Sequence, residues 1–284
     1  MKTFSKVLFR VGVLVFIIGI LLTVIGFIRG GKVYNRSTQY DYNFNESYEG
    51  VTSIDIDISY GTLNVLHGDK FEIVAENMNK NTFHSYVDNN TWIIKDDDDD
   101  FWSGFHFNLF GDSGSKDSSS PKVTIYIPDD FNAKELELEL GAGSAKVEEF
   151  STNKASISVG AGELVIDSIT IENKGDISVG AGQIDINNIK AKNVMLDCGA
   201  GQITIDGVIT GDSEVDCGVG HVDMNLVGNP DEYNYSIECG LGKISLNGKS
   251  YGVSSDTKVD NQDATNSFDL NCGVGNINLN INQN

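Results

Sequence analysis

The sequence predicts an all-β protein, a single-stranded parallel β-helix, and three observations lead to this prediction. One phrase recurs seven times between Leu138 and Leu279: an apolar–polar–apolar run, then Gly-x-Gly, then a second alternating run. The leading glycines follow one another at steps of 19, 20, 19, 19, 22 and 33 residues, and a period near 20 is typical of a solenoid. Apolar residues alternate within each copy as in half-buried strands, which excludes a helix. The structural corner glycines are Gly141, Gly143, Gly160, Gly162, Gly180, Gly182, Gly199, Gly201, Gly218, Gly220, Gly240, Gly242, Gly273 and Gly275.

Each copy is predicted to form one coil of three short strands. Val159 and Leu164 flank the second Gly-Ala-Gly corner, and both are expected to point inward although five positions separate them. A tight corner that resets the alternation requires backbone conformations open mainly to glycine. Two more corners per copy are polar, such as Asp167-Ser168 and 173–175. Three short strands give a perimeter of roughly 60 Å with coils about 4.8 Å apart, and the crossover rule favours right-handed winding.

All four cysteines stand directly before the first glycine of a repeat. Cys198, Cys217, Cys239 and Cys272 occupy the position that Val179 holds in an earlier copy. We therefore expect free, small apolar side chains in an inward-facing column. A metal site or disulfides are the alternatives, but no pair has the C-x-x-C spacing of a common metal or redox motif.

The N-terminal segment predicts a membrane anchor. Residues 11–28 are 18 uncharged, almost wholly apolar residues, long enough to cross a bilayer core as a transmembrane helix. Residues 1–10 would form a short cytoplasmic tail, and residues 29–50 a spacer between the membrane and the exported domain. A cleaved signal peptide is the alternative, although no small-x-small cleavage site follows Ile28.

The remaining chain divides into two parts. Residues 51–131 contain less periodic strand-like runs and are predicted to form irregular first coils and a cap over one end of the solenoid. Residues 132–284 carry the regular repeats. The last strand, within 276–284, is expected to be an open end, and the long step before it suggests that residues 249–266 cover that end.

An acidic and aromatic insertion, residues 96–120, interrupts the first part. It opens with the five aspartates Asp96–Asp100, which suggest a calcium site but lack the spacing of a shaped one. Aromatic side chains follow, and they predict a partner-binding loop as the alternative to a solvated surface loop. These aromatic residues are Phe101, Trp102, Phe105, Phe107 and Phe110.

Charge and motif content exclude several classes of function. The net charge of −21, from 41 acidic and 20 basic residues, argues against nucleic-acid binding and against lying flat on anionic lipid. No cofactor is predicted, because a dinucleotide-binding Gly-x-Gly requires a helix after its glycine turn and the repeats leave no room for one.

Two outward ladders of polar residues are expected along the coils. Asp197 and Asp216 would lie one coil apart, roughly 5 Å, close enough to interact. His221 stands in the second ladder and lacks the partners of a catalytic histidine. The solenoid holds no arginine and its acids lie on flat faces, so the sequence predicts no enzyme. The first ladder is Ser158, Ser178, Asp197, Asp216, Glu238 and Asn271; the second is Glu163, Gln183, Gln202, His221, Lys243 and Asn276.

The anchor, the strand 123–128 that ends in proline and the serial Gly-x-Gly coils resemble the bacterial "putative adhesin" family of unknown function. The resemblance covers roughly residues 50–284. It implies a single-stranded β-helix at the cell surface, and the family supplies no catalytic residues. Together with the anchor at 11–28, the expected location is the bacterial cell membrane, single-pass, with the C-terminal domain outside the cytoplasm. Some members lie beside envelope-stress signalling genes.

These observations favour a non-catalytic, adhesin-like surface interaction module. Its membrane contact would be the N-terminal helix, and an envelope protein or a carbohydrate would be its partner. A regulatory or scaffold component of envelope-stress signalling is the alternative, and a polysaccharide-acting β-helix enzyme is a less favoured one.

Overall fold

The computed structural model describes residues 41–96 and 120–283, which lie within one compact unit. The predicted tail 1–10, the transmembrane segment 11–28, most of the spacer and the aromatic residues of the insertion lie outside the described residues. Among the described residues, no helix is long and apolar enough to cross a membrane.

The described residues form nineteen strands and one short 3-10 turn, Pro230–Glu232. The first nine strands are β1 (Tyr42–Tyr48), β2 (Ser53–Gly68), β3 (Phe71–Met78), β4 (Phe83–Asp88), β5 (Thr91–Asp96), β6 (Lys122–Pro128), β7 (Asn132–Val159), β8 (Glu163–Val179) and β9 (Gln183–Lys192). The other ten are β10 (Val194–Cys198), β11 (Gln202–Thr210), β12 (Asp212–Cys217), β13 (His221–Val227), β14 (Tyr233–Cys239), β15 (Lys243–Leu246), β16 (Lys249–Tyr251), β17 (Ser255–Val259), β18 (Asn266–Cys272) and β19 (Asn276–Asn282).

Successive repeats pair in parallel and in register, which makes the regular part a β-solenoid. Strand β11 pairs with β9 on one side and with β13 on the other, so that Ile184, Ile203 and Val222 form one column. All three side chains are buried, as the alternation predicts. Because each coil stacks like residues on like residues, one aliphatic core runs through the stack.

The corner glycines are required for a different reason than the one predicted. Of the fourteen, only Gly143 has a positive φ, +112°. At the others the limit is space: a Cβ on Gly180 or Gly199 would lie 2.8 Å from the carbonyl oxygen of the corner below, at Gly160 or Gly180 respectively. A Cβ essentially never lies so close to a backbone oxygen, so a side chain at either glycine position would force the stacked corners apart.

The order of the coils along the solenoid differs from their order in the chain. Strands β18 and β19 lie between the coil β12–β13 and the coil β14–β15. The prediction of an open end at the last strand was therefore wrong: Ile277 and Leu279 are covered on both sides and are fully buried. Coil β14–β15 is the outermost coil at this end.

The segment between the last two repeats does cover an end, but it covers the coil β14–β15. Strand β16 pairs antiparallel with β15, and β17 pairs antiparallel with the outer edge of β14. Tyr251 is buried against this coil, whereas Val253 is exposed. These antiparallel strands occupy backbone groups that would otherwise be free to pair with another chain.

The other end is built in a similar way. Strand β2 forms a coil between β7 on one side and the outermost pair, β5 and β6, on the other. Strands β4 and β3 then cover β5 and β6 in antiparallel fashion, and β1 covers β3. Asp96, counted in the sequence with the acidic insertion, is instead the buried last residue of β5 and accepts a hydrogen bond from Thr82 at 3.0 Å.

Candidate interaction surface

The strand register brings the first predicted ladder together as a column on the solenoid surface, in a new order. Asp197 lies beside Asp216, Asp216 beside Asn271, and Asn271 beside Glu238. On the outer side of Glu238 the covering strand β17 adds Asp256. Four of these five neighbouring positions therefore carry a carboxylate.

A second column on the same face adds further acids. Glu214 and Asp269 are direct neighbours on β12 and β18. We call these six carboxylates the acidic face: Asp197, Glu214, Asp216, Glu238, Asp256 and Asp269. Within the described part of the chain, none of the six forms an ion pair or a side-chain hydrogen bond, and Lys258 is the one lysine in these two columns between β10 and β17.

The middle residues of the Gly-x-Gly corners form a row beside the acidic face. Val219 donates its N–H to Gly199 O at 2.8 Å, Val274 to Gly218 O at 2.7 Å, and Leu241 to Gly273 O at 2.7 Å. These bonds stack the three corners at the coil spacing of about 4.8 Å. Ser254 donates to Gly240 O at 2.9 Å, so its neighbour Val253 lies next to the outermost corner.

This row is an apolar ridge, defined as Val219, Val274, Leu241 and Val253. The exposed fractions of these four residues are 66%, 43%, 65% and 65% in that order. Burial of apolar surface stabilises a fold, so four adjacent exposed aliphatic side chains contribute little to this one. Contiguous exposed apolar surface of this kind marks interaction sites in soluble domains.

The ridge was not predicted from the sequence, although the repeats contain a signal for it. The middle residue of the corner is alanine in the first four copies, at 142, 161, 181 and 200. It becomes Val219, Leu241 and Val274 in the last three copies. The repeat pattern alone gives this change no meaning, because only the coil order shows that the three residues are adjacent.

The second predicted ladder lies on the face that follows the corners, and three of its six residues bond to a side chain two positions further along the same strand. His221, expected to lack partners, is paired with Asp223 through Nε2 and Oδ2 at 2.6 Å. Asn278 also donates to Asp223, at 3.1 Å. Gln183 donates to Asp185 at 2.7 Å. Such pairs satisfy polar groups of the face and help to stabilise it.

A shallow open groove of about 260 Å³ lies on this same face near the first coils. Lys146 and Glu163 contribute its charged side chains, and Lys146 is held by Asp167 at 3.1 Å. The groove lacks two carboxylates facing each other across a gap, which glycoside hydrolysis requires. The charged groups at this groove are therefore Glu163 and the exposed ion pair of Lys146 with Asp167.

The cysteine column forms as predicted, with all four thiols free and buried. The spatial order is Cys198, Cys217, Cys272 and Cys239. The Cys272 thiol donates to Gly275 O at 3.0 Å, and burial raises its pKa to about 11. The hydrogen bond with Cys198 and then burial raise the pKa of Cys217. Cys272 and Cys217 are therefore protonated at neutral pH. The hydrogen bond with Cys217 instead lowers the pKa of Cys198 to about 7, and burial is what shields that thiol from reagents.

No site for a metal ion emerges from the described residues. In residues 41–96 and 120–283, no group of three or more histidine, cysteine or acidic side chains is placed to hold one. Asp197 and Asp216 are neighbours, as the ladder predicts, but both lie on a flat face. The predicted calcium site and the aromatic loop fall on the insertion, outside the described residues except for the buried Asp96.

Fold and surface together define a class: a parallel β-solenoid, capped at both ends by antiparallel strands, with an apolar ridge beside an acidic face. The chain belongs to the family described as Toastrack DUF4097, whose model matches residues 51–284. Comparison with curated proteins gives no match.

Three solved structures are similar to this chain at low identity. A "putative adhesin" from Bacteroides fragilis is 15% identical, with 84% of this chain and 95% of that chain covered and a TM-score of 0.43. A "putative cell adhesion protein" from Clostridium sporogenes is 14% identical, covering 85% and 99%, with a TM-score of 0.29. A "putative adhesin" from Parabacteroides distasonis is 11% identical, covering 84% and 96%, with a TM-score of 0.32. The fold assignment rests on the strand pairing and on the family match.

Proposed function

We propose that this chain is a non-catalytic interaction module displayed on the outside of a bacterial cell membrane. Residues 11–28 would anchor it as a single transmembrane helix, and the solenoid, wound right-handed, would project from the membrane. The observation that carries the proposal is the apolar ridge, because its exposed side chains have no role in the core of the described unit.

The arrangement of the surface supports binding rather than catalysis. The acidic face and the ridge lie on exposed strands and corners of the stack, whereas substrates are usually held in concave sites. A rigid scaffold with a fixed row of side chains loses little conformational entropy when it binds a partner. Binding to a partner therefore accounts for the exposed aliphatic side chains of the ridge, whereas a catalytic role does not.

Site-specific photo-crosslinking in intact bacteria tests the proposal. A photoreactive residue at Leu241 lies on the ridge, and one at Ala161, exposed in the same corner column three coils from the ridge, is the matched control. We expect a discrete adduct with another envelope molecule at position 241 and none at 161. Equal adducts at both positions, or none at 241, would contradict the proposal.

Two further readouts separate the remaining possibilities. Protease added to intact cells should degrade the solenoid if it lies outside the membrane, and protection until lysis would refute the location. Removal of residues 1–30 should leave the ridge adduct intact for an interaction module once the protein is secreted by another signal. Loss of a cellular response with the binding retained would favour the alternative of a regulatory component in envelope signalling.

A further inference from the structure

The ridge and the acidic face belong to one continuous surface, because they come from the same coils. Asp216 precedes Val219 by three residues, and Glu238 precedes Leu241 by three. Each of these coils therefore presents a carboxylate on the strand and an aliphatic side chain at the corner that follows it. A partner that covers one covers the other.

From this combination we propose that the surface binds a cationic polypeptide segment that carries aliphatic side chains. The inference rests on the proposed interaction function and adds the chemistry of the partner. Aliphatic side chains of the partner would pack on the ridge, and its lysine or arginine side chains would pair with the acidic face. Such a division between an apolar contact and charged flanks is common in peptide recognition.

The charge arrangement argues for a cationic partner. Asp197 and Asp216 are direct cross-strand neighbours of like charge, and so are Glu214 and Asp269. A third such pair is Glu238 and Asp256. Like charges at these positions destabilise a sheet, and the described residues supply no ion pair that relieves them. Positive charge from a bound partner would relieve all three pairs at once.

The same charges disfavour other occupants. A second copy applied through this surface would bring two acidic faces together, and anionic lipid would be repelled in the same way. The ridge itself offers only aliphatic side chains, with no amide, hydroxyl or aromatic group for a sugar ring. A cationic polypeptide is the class of partner that both halves of the surface accept.

The spacing of the ridge suits an α-helix. Ridge residues follow each other at about 4.8 Å, whereas residues on one face of a helix repeat at about 4.5 to 6 Å, three or four residues apart. Residues on one face of a strand repeat at about 6.6 Å. An amphipathic basic helix laid along the ridge therefore matches it more closely than an extended segment does.

Synthetic peptides of one length test this chemistry. The first is an amphipathic leucine–lysine helix, the second replaces every lysine by glutamate, and the third replaces every leucine by serine. Fluorescence anisotropy would measure their binding to the full chain held in phosphatidylcholine nanodiscs, with empty discs as the blank. We expect binding of the leucine–lysine peptide alone, weakening as salt rises.

Variants then locate the binding. The acidic-face variant combines Asp216→Asn, Glu238→Gln and Asp269→Asn, and the ridge variant combines Val219→Ser, Leu241→Ser and Val274→Ser. The matched control removes three exposed charges from β7, on the same face at the far end of the stack, and consists of Glu135→Gln, Glu137→Gln and Glu139→Gln.

We expect the first two variants each to weaken binding about tenfold or more, and the control less than about twofold. If the acidic-face variant and the β7 control weaken binding equally, only the overall charge of the protein matters. If the ridge variant binds as the wild type does, the ridge is not part of the binding site. Either result overturns the proposal. A change of oligomeric mass in the ridge variant would make a second copy the occupant instead. If the Leu241 adduct forms in cells but the leucine–lysine peptide does not bind, the interaction function stands and the partner chemistry fails.

Discussion

Gly199→Ala offers the sharpest test of how the solenoid stacks. The alanine Cβ would lie 2.8 Å from the carbonyl oxygen of Gly180 in the neighbouring coil. Because Gly199 also donates its own N–H to Val179 O at 2.9 Å, the corner cannot move away without lengthening a hydrogen bond between coils. The backbone conformation itself is not the obstacle, since the φ of Gly199 is not positive.

The expected loss follows from that overlap. Forcing one methyl group into a filled position costs about 1–3 kcal/mol. For a domain of this size, about 2 kcal/mol corresponds to a fall of about 4–8 °C in the midpoint of thermal unfolding. Scanning calorimetry and urea unfolding of a fragment comprising residues 41–284 would measure both quantities.

Gly252→Ala is the matched control for this prediction. No atom lies within 4 Å of the Cβ that it would add, and its φ is also not positive. We expect unchanged stability or a gain of a few tenths of a kcal/mol, because alanine restricts the unfolded chain. If the free energy of unfolding of Gly199→Ala lies within about 0.5 kcal/mol of the wild-type value, close backbone contact is not what requires glycine at the corners. The same conclusion follows if Gly199→Ala and Gly252→Ala lose equal stability.

Three further predictions concern the core, the thiols and the cap. Cys217→Asp should lower the free energy of unfolding by about 3 kcal/mol or more, because it buries an unpaired charge in the cysteine column, and a thermal midpoint within a degree or two of wild type would contradict this. Thiol labelling of the native fragment at pH 8 should be slow at all four cysteines and complete only after denaturation, and rapid labelling of Cys272 would show an open column. Deletion of 250–260 should expose the outer edge of β14 and produce dimers or aggregates in light scattering, whereas a monomer of equal stability would show that this edge protects itself.

The interior of each coil could be predicted from the sequence because the information is local. Leu164 and Ile166 lie inward after a Gly-Ala-Gly corner, and Glu163 lies outward, as the alternation requires. A one-residue error in the register would turn every aliphatic side chain to solvent, so the pattern admits one solution. The buried column of cysteines follows from the same constraint.

The order of the coils could not be predicted because the repeats are interchangeable at their contacts. Cys272 pairs in register with Cys217 on one side and with Cys239 on the other. Either neighbour would bury the same atoms, so the repeat pattern carries no preference. The segments that connect the coils determine their order instead. Asn261 donates to the carbonyl oxygen of Tyr233 at 2.7 Å, and this bond holds the long final loop against the outermost coil. Side-chain to backbone bonds of this kind are not visible as periodicity.

The candidate site depends on that order, which explains why the repeat pattern alone did not show it. The two flanking glycines of each corner must be small because the neighbouring backbone lies against them. The residue between them is exposed in six of the seven copies, so packing constrains its size less. Alanine at 142 and 161 satisfies the fold, so leucine at 241 and valine at 274 add little stability beyond what alanine provides. In sequence order, the 33-residue step separates these two corners, and in space they are adjacent. This corner position carries valine or leucine where the last three corners stack, and that is the feature from which we propose contact with another molecule.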